Sequence, residues 1–147
     1  MTRFYSIDDA NAALQDVERI LLALRDQRAE LIRLRDAVIE ATSDERVGGE
    51  RAGRTAESVA ASGVQADDRR RLRLRMQGLI DQMQAGVTRL VEQDITLRDI
   101  EAGLIDFPAL VNGRQVWLCW RLGEADIAWW HELGDGFGGR AALAELT

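Results

Sequence analysis

The chain has 147 residues, 46% of them apolar and 30% charged, with a net charge of −6. That is the size and balance of a single globular domain able to bury about 70% of its unfolded surface. No apolar run approaches the ~20 residues of a membrane span, and the acidic balance weighs against nucleic acid as a partner. All 19 basic side chains are Arg, which excludes Schiff-base and phosphate-loop lysine chemistry. The single Cys excludes an internal disulfide, and the N-terminus lacks an apolar signal core, so the expected location is the cytoplasm.

The first predicted element is a helix over 7–42. Ser6 is placed to cap it, and Asp8 and Asp9 suit the positive end of its dipole. Ala10, Ala13, Val17, Ile20, Leu24, Gln27, Leu31, Leu34, Val38 and Ala41 recur at alternating spacings of three and four, a coiled-coil-like seam with one polar member. Leu14, Leu21 and Leu22 widen the stripe, enough to meet more than one neighbour. Residues 43–66 lose the pattern and read as a flexible connection, with a lid as the sharper alternative. A second helix is predicted over 67–93, its apolar face built from Leu72, Met76, Leu79, Ile80, Met83, Val87, Leu90 and Val91. Two such helices pack as an antiparallel hairpin. Arg69, Arg70, Arg71, Arg73 and Arg75 crowd its start; Asp36, Glu40, Asp44 and Glu45 at the end of helix one are the expected counter-charges, which favours a neutralised face over a phosphate-binding patch.

After Gln93 the period changes from 3.6 to 2. "ITLRDI" (95–100), "GLIDFPALV" (103–111) and "RQVWLCWRL" (114–122) read as a three-stranded antiparallel meander over 95–122, its last two strands joined by the Asn112–Gly113 hairpin signal. Val116, Leu118 and Trp120 fall on one face; Trp117, Cys119 and Arg121 fall on the other. "ADIAWWHEL" reads as a short C-terminal helix over 124–133, followed by a Gly-rich tail over 134–147. The expected fold is α+β: a helical hairpin carrying a small meander and a short helix.

Residues 118–140 gather the only His, the only Cys, three of the four Trp and five Gly. In order, the tail carries Gly103-Leu104-Ile105-Asp106-Phe107-Pro108, Leu118-Cys119-Trp120-Arg121, Gly123-Glu124, Trp130-His131, and Gly136-Phe137 with Gly139-Arg140. In this it resembles a bacterial and archaeal family of uncharacterised proteins, the domain of unknown function numbered twenty-two-oh-three. Phe4, Ser6, Ala10 and Asn11 add a looser match at the start. The resemblance implies no activity.

Chemistry is therefore sought in Asp106, Cys119, Arg121, Glu124, His131 and Arg140. Asp106 lies within an apolar strand, where an unpaired carboxylate is costly, so it needs Arg121, Arg140, His131 or a cation. If 124–132 is helical, Glu124 and His131 share one face. One reading is a metal site of Asp106, Glu124 and His131 for Zn, Mn or Fe, with Cys119 a weaker ligand inside its strand. Another is an anion or small-ligand site using Arg121 and Arg140, walled by Trp117, Trp120, Trp129, Trp130 and Phe137. Each residue also has a structural role open to it: an ion pair for Asp106, a backbone contact for His131, apolar burial for Cys119. Cys119 between two Trp is poorly placed for nucleophilic attack. The functional expectation is a ligand-binding or protein-interaction module with its site in the tail. The alternative is a metal-dependent hydrolase using Asp106, Glu124 and His131. Self-association as a homodimer through the hairpin is expected in either case.

Overall fold

The computed structural model describes residues 2–49 and 56–146. Two long helices, α1 (Ile7–Gly49) and α2 (Ala56–Glu92), precede a sheet of five strands. These are β1 (Thr96–Asp99), β2 (Leu104–Val111), β3 (Arg114–Arg121), β4 (Trp129–His131) and β5 (Ala141–Ala142). Each strand pairs antiparallel with the next, in the order β1-β2-β3-β4-β5. The α+β class read from the sequence is the class observed. No described helix is long and apolar enough to cross a membrane.

The chain divides into two compact units, 1–25 with 84–147 and 26–83, to which both helices contribute. In the 26–83 unit α1 and α2 run antiparallel, with Gln27 hydrogen-bonded to Gln82 and Arg75 reaching Glu30 at 3.3 Å. The polar member of the seam therefore finds a polar partner. Within the arginine cluster Arg75 meets Glu30 at 3.3 Å and Arg71 meets Asp68 at 3.7 Å; the side chains of Asp44 and Glu45, two of the expected counter-charges, lie outside the described residues. In the other unit Arg89 meets Asp16 at 3.1 Å, and Gly86 lets the helices approach so closely that a Cβ there would stand 3.1 Å from Leu24. Ser6 caps α1 as expected: its Oγ accepts from the Asp9 N–H at 3.0 Å, and Asp9 accepts in return from the Ser6 N–H at 3.4 Å.

Both helices run further than the apolar pattern suggested. Residues 43–49 and 56–66 of the expected connection are helical; 50–55, the remainder of that connection and of the lid reading, lie outside the described residues. Ala, Glu, Arg and Gln favour helix by intrinsic propensity even where no apolar stripe marks it. Leu22, expected to widen the buried stripe, is 39% exposed, whereas Leu14 and Leu21 are buried.

The core of the 1–25/84–147 unit unites Ala10, Leu14, Val17, Ile20, Leu21, Leu24 and Leu90 with one face of the sheet, Ile105, Phe107, Ala109, Val116, Leu118 and Trp120. Tyr5 ties the chain start to that sheet face. Its N–H donates to the Pro108 carbonyl at 2.8 Å, and its ring meets Phe107 edge-on at 4.9 Å. The Asn112–Gly113 turn, with φ of 52° and 77°, fixes the β2–β3 register so that Asp106 stands opposite Cys119.

The short helix expected over 124–133 is not formed. Residues 124–128 make a turn, and Trp129, Trp130 and His131 join the sheet opposite Cys119, Leu118 and Trp117. Bulky aromatic residues suit a pleated, half-buried surface better than a helix, and the open edge of β3 supplies the hydrogen bonds. The expected Gly-rich tail contains β5 and two 3₁₀ turns, Phe137–Gly139 and Leu143–Glu145. The three-stranded meander is thus the first part of a five-stranded sheet.

Candidate functional site

Strand alternation sends Asp106, Cys119 and His131 to the face opposite the core. All three are nevertheless buried, Asp106 at 1% exposure and His131 at 3%. Residues 133–137 border a cavity of about 360 Å³ above them, which Arg98 and Leu104 also line. One donor atom from each of Asp106, Cys119 and His131 lies within 4.8 Å of the others.

The hydrogen bonds around the cluster do not close. The Nδ1 of His131 is 2.8 Å from the Glu132 carbonyl; a carbonyl can only accept, so Nδ1 carries a proton. In the neutral ring Nε2 then presents a lone pair, yet it faces Asp106 Oδ2 at 3.0 Å. Two acceptors at that distance require a proton or a cation between them. Arg98 answers part of the demand, its Nε donating to the same Oδ2 at 2.8 Å. Asp106 Oδ1, equally buried, has no hydrogen-bond partner among the described residues, a state that native interiors rarely tolerate without a reason.

Arg98 is the residue beside this cluster that sequence reasoning missed. Leu97 pairs with Ile105 and Asp99 with Leu104, so Arg98 is the extra residue of a β-bulge. Its guanidinium rests over Trp117 at 5.1 Å, and its side chain remains 42% exposed. The alternation of "ITLRDI" was visible, but nothing in that stretch signals a bulge.

Burial, followed by the negative charge of Asp106, pushes the Cys119 thiol up from 9.0 to about 11; the Arg140 guanidinium beside it pulls the other way. A thiol held protonated by the fold stabilises the protein in full below pH 9, and that contribution is lost as pH rises towards 11. Burial of the Tyr5 hydroxyl acts with the same sign. Thermal melts from pH 8 to 11 in the presence of chelator should therefore show falling stability, with a shallower fall in Cys119→Ala. Superimposable profiles for the two proteins would refute this assignment.

The other candidates separate from the cluster. Glu124 does not join Asp106 and His131. Its Oε1 accepts from the Arg121 N–H at 2.7 Å and from Arg140 Nη1 at 3.0 Å, which shapes the turn after β3. The two-turn helical spacing that linked Glu124 to His131 disappears with the helix. Arg140 lies against Phe137 at 4.1 Å and Trp129 at 4.7 Å, next to Cys119 rather than in the cavity wall. Arg121 is exposed, 5.9 Å from the Phe137 ring. Trp120 and Trp130 belong to the core-side face and cannot wall the cavity; their indole N–H groups donate to the carbonyls of Glu124 and Ala142.

Fold and cluster together define an α+β protein of two long helices and a five-stranded antiparallel sheet, with a buried Asp–Cys–His group on the sheet face away from the core. The chain belongs to the family described as "Uncharacterized conserved protein (DUF2203)", which matches residues 3–143. The kinship carried by the tail motifs thus extends across both helices. No match was found among curated proteins or among solved structures.

Proposed function

We propose that the protein is a metal-binding module in which Asp106, Cys119 and His131 hold one divalent ion. The observation that carries the reading is the convergence of acceptors: His131 Nε2 faces Asp106 Oδ2 at 3.0 Å, beside an Oδ1 with no hydrogen-bond partner among the described residues. A cation among the carboxylate, the thiol and Nε2 answers all three at once. Ligands bound about 2.0–2.3 Å from a tetrahedral ion stand roughly 3.3–3.6 Å apart, so donor atoms within 4.8 Å need only small side-chain adjustments. The mixed O, S and N set favours zinc, or ferrous iron, over manganese, because thiolate is a soft ligand. The second shell has the usual form. Nδ1 of His131 is oriented by a carbonyl, Asp106 by Arg98, and the Cys119 sulfur by Arg140.

The test is titration of chelator-treated protein with Co²⁺ and Zn²⁺. One equivalent should bind, with a thiolate-to-cobalt charge-transfer band that Cys119→Ser removes and a stoichiometry that His131→Gln abolishes. Because the thiol gives up a proton to the ion, affinity should rise about tenfold per pH unit through the neutral range. Wild-type protein that takes up neither ion, or a charge-transfer band that survives in Cys119→Ser, would overturn the reading.

A second reading concerns assembly. We infer that the helical hairpin pairs with another copy of the chain, as Ile39, Val64 and Leu74 within 26–83 are large, apolar and exposed. Sedimentation at micromolar concentration should report a dimer; a monomer would remove the proposal.

A further inference from the structure

We infer that the ion's fourth position and the outer edge of Arg98 together bind a small organic oxyanion, a carboxylate or phosphate ester. This inference rests on the metal reading above. The three donors come from three neighbouring strands, β2, β3 and β4, and from a single face of the sheet. They therefore approach an ion from one side. The remaining vertex of a tetrahedron has to point away from the sheet, into the cavity bordered by residues 133–137. A site with three protein ligands and one open position receives an exogenous group rather than serving only as a structural staple.

The walls of the cavity indicate which group. Arg98 lines it and commits only its Nε to Asp106. Neither Nη has a hydrogen-bond or ion-pair partner among the described residues, and the side chain is 42% exposed. A guanidinium anchored through Nε presents its two Nη groups as a fork suited to two oxygens. Divalent charge on one side and that fork on the other select a ligand with oxygens to offer both. Leu104, Leu133 and Phe137 supply apolar wall, and about 360 Å³ is more than a bare inorganic ion requires, so the oxyanion carries a small apolar part. Asp135 lines the same cavity and opposes an anion. It limits affinity and provides an independent handle.

The experiment uses the Co²⁺-loaded full chain, whose visible bands respond to exchange at the fourth position. Inorganic phosphate and benzoate are the probes, the first for the phosphate head group and the second for a carboxylate with an apolar body. Wild type should show saturable spectral shifts with at least one probe. Arg98→Gln should keep one equivalent of Co²⁺ and bind that probe roughly tenfold or more weakly. Asp135→Asn should bind it more tightly. Should Arg98→Gln fail to hold the ion, the Asp135→Asn comparison decides, and unchanged probe affinity there overturns the inference. Co²⁺ bound with no response to either probe, or a response equal in Arg98→Gln, also overturns it and leaves the metal reading standing. Wild type that binds no Co²⁺ removes both.

Discussion

Asp106→Asn should leave the metal-free protein at least as stable as wild type, whereas His131→Ala should weaken it by about 3 kcal/mol. The asymmetry follows from which charge is left behind. An Asn amide removes the buried charge, and the atom in the Oδ2 place can serve either the imidazole lone pair as Nδ2 or Arg98 Nε as the amide oxygen. With Nδ2 in that place the facing acceptors, now 3.0 Å apart, become a donor and an acceptor, and Arg98, 42% exposed, turns to solvent. Removing the imidazole instead leaves a carboxylate at 1% exposure with Arg98 alone. Truncating the buried ring also opens a cavity and leaves the Glu132 carbonyl without its N–H, which together put the loss at about 3 kcal/mol. Urea unfolding with chelator measures both. Equal losses in the two variants would mean that the carboxylate is not the strained member. If Asp106→Asn also abolishes Co²⁺ uptake, the position trades stability for binding, as functional positions often do.

The second large effect lies outside the cavity. Gly103→Val should lower stability by roughly 3 kcal/mol or more, combining the cost of a left-handed backbone with that of overpacking. Gly103 has φ of +67°, and a Cβ there would stand 2.4 Å from Leu122 Cβ. Its carbonyl also accepts from the Leu122 N–H at 2.8 Å, closing the end of the β2–β3 pair. Neither the torsion nor the contact can relax without moving Leu104–Val111 against Arg114–Arg121. A melting temperature unchanged from wild type would show that the chain has another way to start β2.

What the sequence made legible and what it hid divide along local and non-local lines. The seam from Ala10 to Ala41, the apolar face from Leu72 to Leu90 and the Asn112–Gly113 turn are local signals, and both helices and the β2–β3 hairpin follow from them. β4 was hidden because three residues are too few to show a period, and Ala125–Leu133 contains nothing that forbids helix. The strand exists because β3 has an edge to offer, a long-range fact. The need of Asp106 for a partner was readable from its apolar surroundings, and His131 was among the partners named. Cys119 lies inside a strand, where the sequence alone marks it as a buried apolar residue. In a sheet covered on both faces, burial does not say which face a side chain serves, and this one serves the face away from the core. Glu124 and His131 share a face only on a helix, and 124–131 form none.

No two of the donors share a strand, and each comes from a different neighbour in the ladder. Slipping β3 by a single position would turn Cys119 through to the far side and bring Leu118 or Trp120 in its place. If Asp106, Cys119 and His131 hold Co²⁺ as proposed, its colour would then vanish without any residue having been replaced. The chromophore thus doubles as a gauge of strand alignment, able to separate chains whose sheet has been threaded correctly from compact chains whose sheet has not, even where far-ultraviolet dichroism sees the same helix content in both.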